Sequence, residues 1–152
     1  MKQSAGILLY RPQAISWELF LVHPGGPFWK NKDLGAWSIP KGELGDNENA
    51  LDAAIREFQE ETGFTCSGKF LPLTPRKQGS SKMVHAWALE KDINAALLQC
   101  NLFSMEWPPK SGQFKEFPEI DKGAWFTPDM AKEKIIPGQV GFIDELLQLL
   151  SN

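Results

Sequence analysis

The sequence predicts an α/β fold in which a mixed sheet lies between helices. Three observations predict it. Apolar runs of strand length occupy the first forty residues and recur in the middle of the chain. One amphipathic segment, 49–62, interrupts them. Helical periodicity returns at the C-terminal end. Strands with one helix inside and helices at the end suit a layered sheet rather than a bundle or an all-β sandwich. The 152 residues have the length of one domain, so we expect a single domain over 1–152. A chain 42% hydrophobic and 23% charged can build a core, which excludes disorder and collagen-like structure.

The elements follow in order. Ala5–Tyr10 (AGILLY) and Trp17–His23 (WELFLVH) read as buried strands, separated by a turn containing Pro12. Pro24–Gly35 is a loop punctuated by Gly and Pro, and Ala36–Ile39 a short strand stopped by Pro40. Lys41–Asn47 reads as a loop. Asn49–Thr62 is a helix closed by Gly63. Phe64–Leu73 is extended, Ser81–Leu89 is a strand, and Asp92–Gln99 a short helix. Phe103–Phe117, rich in Pro and Gly, reads as an irregular loop. Gly123–Phe126 is a strand. Pro128–Ile135 and Gly138–Leu150 are helices, the second with Val140, Ile143, Leu146, Leu147 and Leu150 at helical spacing.

The chemistry concentrates in 42–64 (GELGDNENALDAAIREFQEETGF). Glu57, Glu60 and Glu61 stand at i, i+3 and i+4, which puts them within an arc of about 100° on a helix. Leu51, Ala54, Ile55 and Phe58 form a separate apolar stripe. Like charges at these spacings repel by a few tenths of a kcal/mol when exposed. Three acidic groups in the last two turns also oppose the helix dipole. Taken alone, the three glutamates also read as a charged, solvated helix face, and that is the plainer reading until the surrounding residues are considered. A divalent cation reverses both signs, and hard carboxylate oxygens completed by water and phosphate describe a magnesium site.

The surrounding residues carry a resemblance. Gly42, Glu48, Arg56, Glu57, Glu60, Glu61 and Gly63, with apolar Phe58 and Phe64, match the Nudix box at every defined position. The chain therefore resembles the Nudix hydrolase superfamily. Ala5–Tyr10, the WSIPKG run from Trp37 to Gly42 and the later FPEIDKGAWF from Phe117 to Phe126 also look like Nudix elements. Within the superfamily the chain is similar to the NTP pyrophosphohydrolase branch, and WSIPKG and the size also resemble small diadenosine polyphosphate hydrolases.

The resemblance implies the Nudix α/β/α sandwich. It also implies hydrolysis of a diphosphate linkage in a nucleoside diphosphate derivative, with Mg²⁺ (or Mn²⁺) as cofactor. Candidate substrates are nucleoside triphosphates, dinucleoside polyphosphates and nucleotide sugars. By the same resemblance the metal residues are Glu57, Glu60 and Glu61 with the Gly42 carbonyl. Arg56 orients the carboxylates, and Glu48 holds the box loop in shape. The general base is a box glutamate or a remote carboxylate. Among Glu106, Glu116 and Glu119, Glu119 is the first choice and Glu116 the second.

Substrate contacts are expected from Lys41, beside the box glycine, and from Glu116, His85 and Trp107. A solvated lysine and a hydrogen-bonded sheet histidine are the plainer readings of Lys41 and His85. Lys82, on the other side of the His85 strand, meets phosphate only if that face is open. Phe28, Trp29 and Trp107 sit in loops, where rings either stack on a base or plug the ends of the sheet. His23 has no partner that the sequence names.

Charge separates the function classes further. The net charge of −3 argues against a coat for long nucleic acid. Residues 43–61 carry −6 and the remainder +3, which suits a small polyanion meeting a carboxylate site through cations. No run has the roughly 20 apolar residues of a membrane span. Met1 and Lys2 lead straight into Gln3 and Ser4 without a leader-like core, and Cys66 and Cys100 read as reduced thiols, so a cytoplasmic monomer or homodimer is expected. A non-catalytic Nudix-fold module that senses nucleotides is the alternative. Such modules usually lose box carboxylates, and here all are present.

Overall fold

The computed structural model describes residues 1–151. Eight strands and three α-helices follow in chain order: β1 (Lys2–Pro12), β2 (Trp17–Pro24), β3 (Lys41–Glu43), α1 (Ala50–Thr62), β4 (Leu71–Gln78), β5 (Lys82–Glu90), β6 (Leu102–Glu106), β7 (Phe114–Pro118), β8 (Ile120–Phe126), α2 (Pro128–Lys134) and α3 (Val140–Leu150). The main sheet runs β4-β5-β1-β2-β8, and β3 pairs with β1. β1 and β5 are parallel and the other pairings antiparallel, so the sheet is mixed, as expected.

Alternation along β1 builds the sandwich. Ala5, Ile7 and Leu9 face α1, packing with Phe20, Val22, Ala54 and Phe58. Leu8 and Tyr10 face α2 and α3, packing with Leu21, Ala131, Phe142, Ile143 and Leu146. Both faces of β1 are covered, which is why its sequence is a continuous apolar run rather than an alternating one.

The α1 helix forms where its local signals place it. The Asn49 side chain accepts hydrogen bonds from the Leu51 and Asp52 amides, and Gly63 ends the helix at φ 81°. Its fully buried line is Ala53, Ala54, Phe58 and Thr62, with Leu51 and Ile55 half-buried beside it. The buried stripe is therefore turned slightly from the expected one. Asn49→Ala is expected to cost about 1 kcal/mol, read from urea denaturation as a lower midpoint at unchanged slope.

Five expectations are corrected. Lys41–Glu43 is a strand, not a loop, because β1 is longer than its apolar run and offers Ser4–Gly6 as partners. Ala36–Ile39 forms only isolated bridges, Val22 with Ser38 and Trp37 with Ile135. The extended segment near 64–73 enters the sheet only at Leu71 and continues to Gln78. Asp92–Gln99 yields a single 3₁₀ turn, Ala95–Leu97, capped by Asn94.

The fifth correction is the largest. Phe103–Phe117 is not an irregular loop: most of it is a hairpin of β6 and β7, in register at Phe103–Phe117 and Met105–Lys115. Its Pro and Gly residues lie at the tip. There the Glu106 carboxylate accepts the amides of Lys110 (2.9 Å) and Gly112 (3.1 Å). This hydrogen bonding turns Glu106 into a turn-forming residue rather than a remote base.

Candidate active site

The site lies where β2 and β3 part along one edge of β1. Near one end β1 pairs with β2 at Tyr10–Pro12, and near the other with β3 at Ser4–Gly6. Between them the Ile7 amide donates to the Pro40 carbonyl at 3.1 Å. A cleft of about 240 Å³ opens there. Lys41, Glu61, Glu119 and Ser38 supply its polar groups, and Trp29, Ile39 and Ile136 are among its apolar walls.

Arg56 organises the box. Its guanidinium holds Glu48 in a fork, with Nε and Nη2 each 2.9 Å from a carboxylate oxygen. Nη1 reaches Glu57 at 2.9 Å and Glu60 at 3.2 Å, and Nη2 also donates to the Glu43 carbonyl at 3.2 Å. Glu48 in addition accepts the Gly45 amide at 2.8 Å, which ties the box loop to the helix. The Arg56 fork, and then the Gly45 amide, hold the Glu48 carboxyl down at about 2. Arg56 itself is held above its ordinary value, first by Glu48.

The other carboxylates shift the opposite way. Burial raises Glu57, against the pull of Arg56. Burial also pushes Glu61 up to about 8; the charges of Glu57 and Glu119 add to the shift, while the Lys41 amide and ammonium oppose it. Glu119 is raised by burial and then by Glu60. The charges of Glu60 and Glu119 act on Glu57, those of Glu57 and Glu119 on Glu61, and that of Glu60 on Glu119, which links the carboxylates electrostatically. The Lys41 amide donates to Glu61 Oε1 at 3.1 Å. Gly42 lies under the Glu57 carboxylate: a Cβ on Gly42 would occupy the space of that carboxylate.

The donor set can be tested against a divalent cation. Among the described residues, no three carboxylate, imidazole or thiol groups converge into a ready-made cage. The donors are all oxygen, and carboxylates raised by burial first and by neighbouring carboxylate charge second are what a cation would relieve. Mg²⁺ is typically held by one or two carboxylates plus water and phosphate rather than by a protein cage, so the residues fit it.

Opposite the carboxylates lies a pair of lysines. Lys41 pairs with Gly6 of β1, and Lys82 with Lys2. Alternation puts both side chains on one face of the sheet, flanking Ser4, whose buried hydroxyl makes no hydrogen bond. Burial first, and the neighbouring Lys82 ammonium second, hold Lys41 down at about 8, with Glu61 pulling upward. The sequence named Lys82 only conditionally, because its place beside Lys41 depends on strand register.

The remaining candidates lie elsewhere. His85 Nε2 is 2.7 Å from the Gln3 side-chain oxygen, on the opposite face of β5 from Lys82. Glu116 is exposed on β7 and does not line the cleft. Trp107 packs edge-to-face on Phe28, with ring centroids 5.5 Å apart, and braces the loop that carries Trp29. Trp29 is the loop ring that reaches the cleft.

Fold and site together define an α/β/α sandwich whose box helix presents its carboxylates at the split edge of a mixed sheet. The NUDIX domain model matches residues 1–146, and the chain belongs to that family. It is 32% identical over 102 residues to an 8-oxo-(d)GTP phosphatase of Mycolicibacterium smegmatis, covering 65% of this chain and 26% of that protein. It is 46% identical over 41 residues to mRNA decapping complex subunit 2 of Schizosaccharomyces pombe, covering 27% of this chain and 6% of that protein. The chain thus spans well under half of either relative. Its fold is similar to the crystal structure of a C. elegans Ap4A hydrolase binary complex, with a TM-score of 0.65 and 21% identity over 99% of this chain and 98% of that one. Among the described residues no helix is long and apolar enough to cross a membrane.

Proposed function

We propose that the chain, as a single Nudix domain, hydrolyses a diphosphate linkage in a small nucleoside diphosphate derivative with the help of Mg²⁺ or Mn²⁺. One observation carries the reading: Glu61 and Glu119 border one cleft together with Lys41, with the charge of Glu57 acting on Glu61 and that of Lys82 on Lys41. When bound, the cation neutralises phosphate charge and lowers the pKa of its water.

Glu57 and Glu61, with Glu60 and the Gly42 carbonyl, would hold the cation. Arg56 fixes where Glu57 and Glu60 point, and Gly42 leaves room for the Glu57 carboxylate. Lys41 and Lys82 meet the phosphate oxygens. Glu119, raised and lining the cleft, is placed to take a proton from the attacking water. Trp29 and the aliphatic walls receive the base or sugar.

The test is a panel of dinucleoside polyphosphates, nucleoside triphosphates and nucleotide sugars incubated with the protein and Mg²⁺, with products identified by mass. The expected result is cleavage within a diphosphate linkage. No cleavage of any member with Mg²⁺ or Mn²⁺ overturns the reading, and binding without turnover favours the nucleotide-sensing module instead.

A further inference from the structure

His23 ends β2 almost wholly buried, with 1% of its surface exposed. Both ring nitrogens have partners. Nε2 lies 2.6 Å from the Lys32 carbonyl oxygen, and Nδ1 lies 2.9 Å from Asp121 Oδ1. A carbonyl oxygen only accepts, and so does an ionised carboxylate. For both contacts to be hydrogen bonds, both nitrogens must carry a proton. The geometry is that of an imidazolium between two acceptors.

Asp121 reaches the ring because of a bulge. His23 pairs with Lys122 and Pro24 with Ile120, which leaves Asp121 as the extra residue of β8. Regular alternation would put Asp121 on the opposite face from Lys122; a bulge re-aims it. The other charged groups around the ring are already engaged. Trp37 packs against the imidazole at 5.2 Å and donates its indole N–H to Asp33 at 2.8 Å. Asp33 is also ion-paired with Lys134. Lys122 lies over the Trp37 ring at 5.6 Å, and Lys32 offers the imidazole only its carbonyl. Asp121 is the carboxylate left to the imidazole.

The two acceptors lie in the segments that supply Trp29 and Glu119 to the cleft. Lys32 follows Trp29 in the 24–35 loop, and its amide donates to the Trp29 carbonyl at 3.0 Å. Asp121 follows Glu119 by two residues. Besides His23, the Gly25 amide joins these segments, donating to the Glu119 carbonyl at 2.9 Å. We propose that His23 is a positioning residue: its doubly protonated ring clamps the Trp29 loop to the Glu119 segment and sets the spacing of the cleft walls. A neutral ring has one N–H and cannot donate to both acceptors. The inference rests on reading the cleft as the substrate site, but its first two tests need no substrate.

Nitrogen-15 NMR of the full chain at about pH 6 is expected to show His23 protonated on both nitrogens. Asp121→Ala is expected to speed amide exchange within 24–35 and 119–122 and to lower kcat/KM by about 10- to 100-fold, with a raised KM. Asp121→Asn is the conservative rescue, since its amide N–H donates to a neutral Nδ1. It should restore slow exchange and KM while the ring carries a single N–H. A wild-type ring with one N–H at that pH overturns the proposal. So does an Asp121→Ala variant with unchanged exchange, or an Asp121→Asn variant that behaves like Asp121→Ala. If the wild type cleaves no nucleotide, the NMR and exchange results still decide the clamp, and only the functional reading falls.

Discussion

Glu61→Gln is expected to lower kcat by about 10³-fold, the equivalent of roughly 4 kcal/mol of lost transition-state stabilisation, while leaving the fold in place. The amide oxygen of Gln can still accept the Lys41 N–H, so the link between α1 and β3 survives. What disappears is the charge. The Glu61 carboxyl is pushed up to about 8 by burial, and the negative charges of Glu57 and Glu119 add to that shift. A neutral amide avoids both penalties, so the metal-free variant should melt no lower than the wild type. Steady-state kinetics with Mg²⁺ and metal-free thermal melts check the two halves separately. Turnover within tenfold of wild type would remove Glu61 from the residues that hold the cation, and a large drop in melting temperature would make the loss a folding effect.

The box was readable because its signals are local. The Asn49 cap, the buried line through Ala54 and Phe58, and the left-handed Gly63 all act within a few residues of one another. The carboxylates at i, i+3 and i+4 share a helix face whatever the helix packs on. Their partner in Arg56 is likewise within the box, and the structure finds it in contact with Glu48, Glu57 and Glu60.

What was not readable depends on register and on distant pairing. Lys82 becomes a neighbour of Lys41 only once β5 and β3 are placed on opposite edges of β1. His23 meets Asp121, 98 residues away, through a bulge that no strand pattern announces. The β6–β7 hairpin was hidden by its own tip. Pro108, Pro109 and Gly112 read as a long loop, yet they confine the turn and leave Leu102–Glu106 and Phe114–Pro118 free to pair. Pairing of Phe103 with Phe117, with ring centroids 6.0 Å apart, then fixes the register.

The Lys41–Lys82 pair yields the second large effect. Burial and the Lys82 ammonium hold Lys41 down against the pull of Glu61, next to a buried hydroxyl with no partner, so an anion that joins the two lysines is favoured. A charge-assisted hydrogen bond contributes about 1.5–3 kcal/mol, so replacing either lysine by Met should lower kcat/KM by about 10- to 100-fold. The double variant should lose about 10²- to 10⁴-fold where the two lysines act independently, and less than the product of the singles where they share one phosphate oxygen. Unlike a core mutation, it should not lower the melting temperature of the ligand-free protein, because it removes a like-charge contact. Inorganic pyrophosphate with Mg²⁺ should raise the melting temperature of the wild type and leave that of Lys41→Met/Lys82→Met unchanged. Equal stabilisation of both proteins would show that the lysines do not hold phosphate. The charge pattern along the chain would then owe its basic remainder to solubility rather than to the substrate.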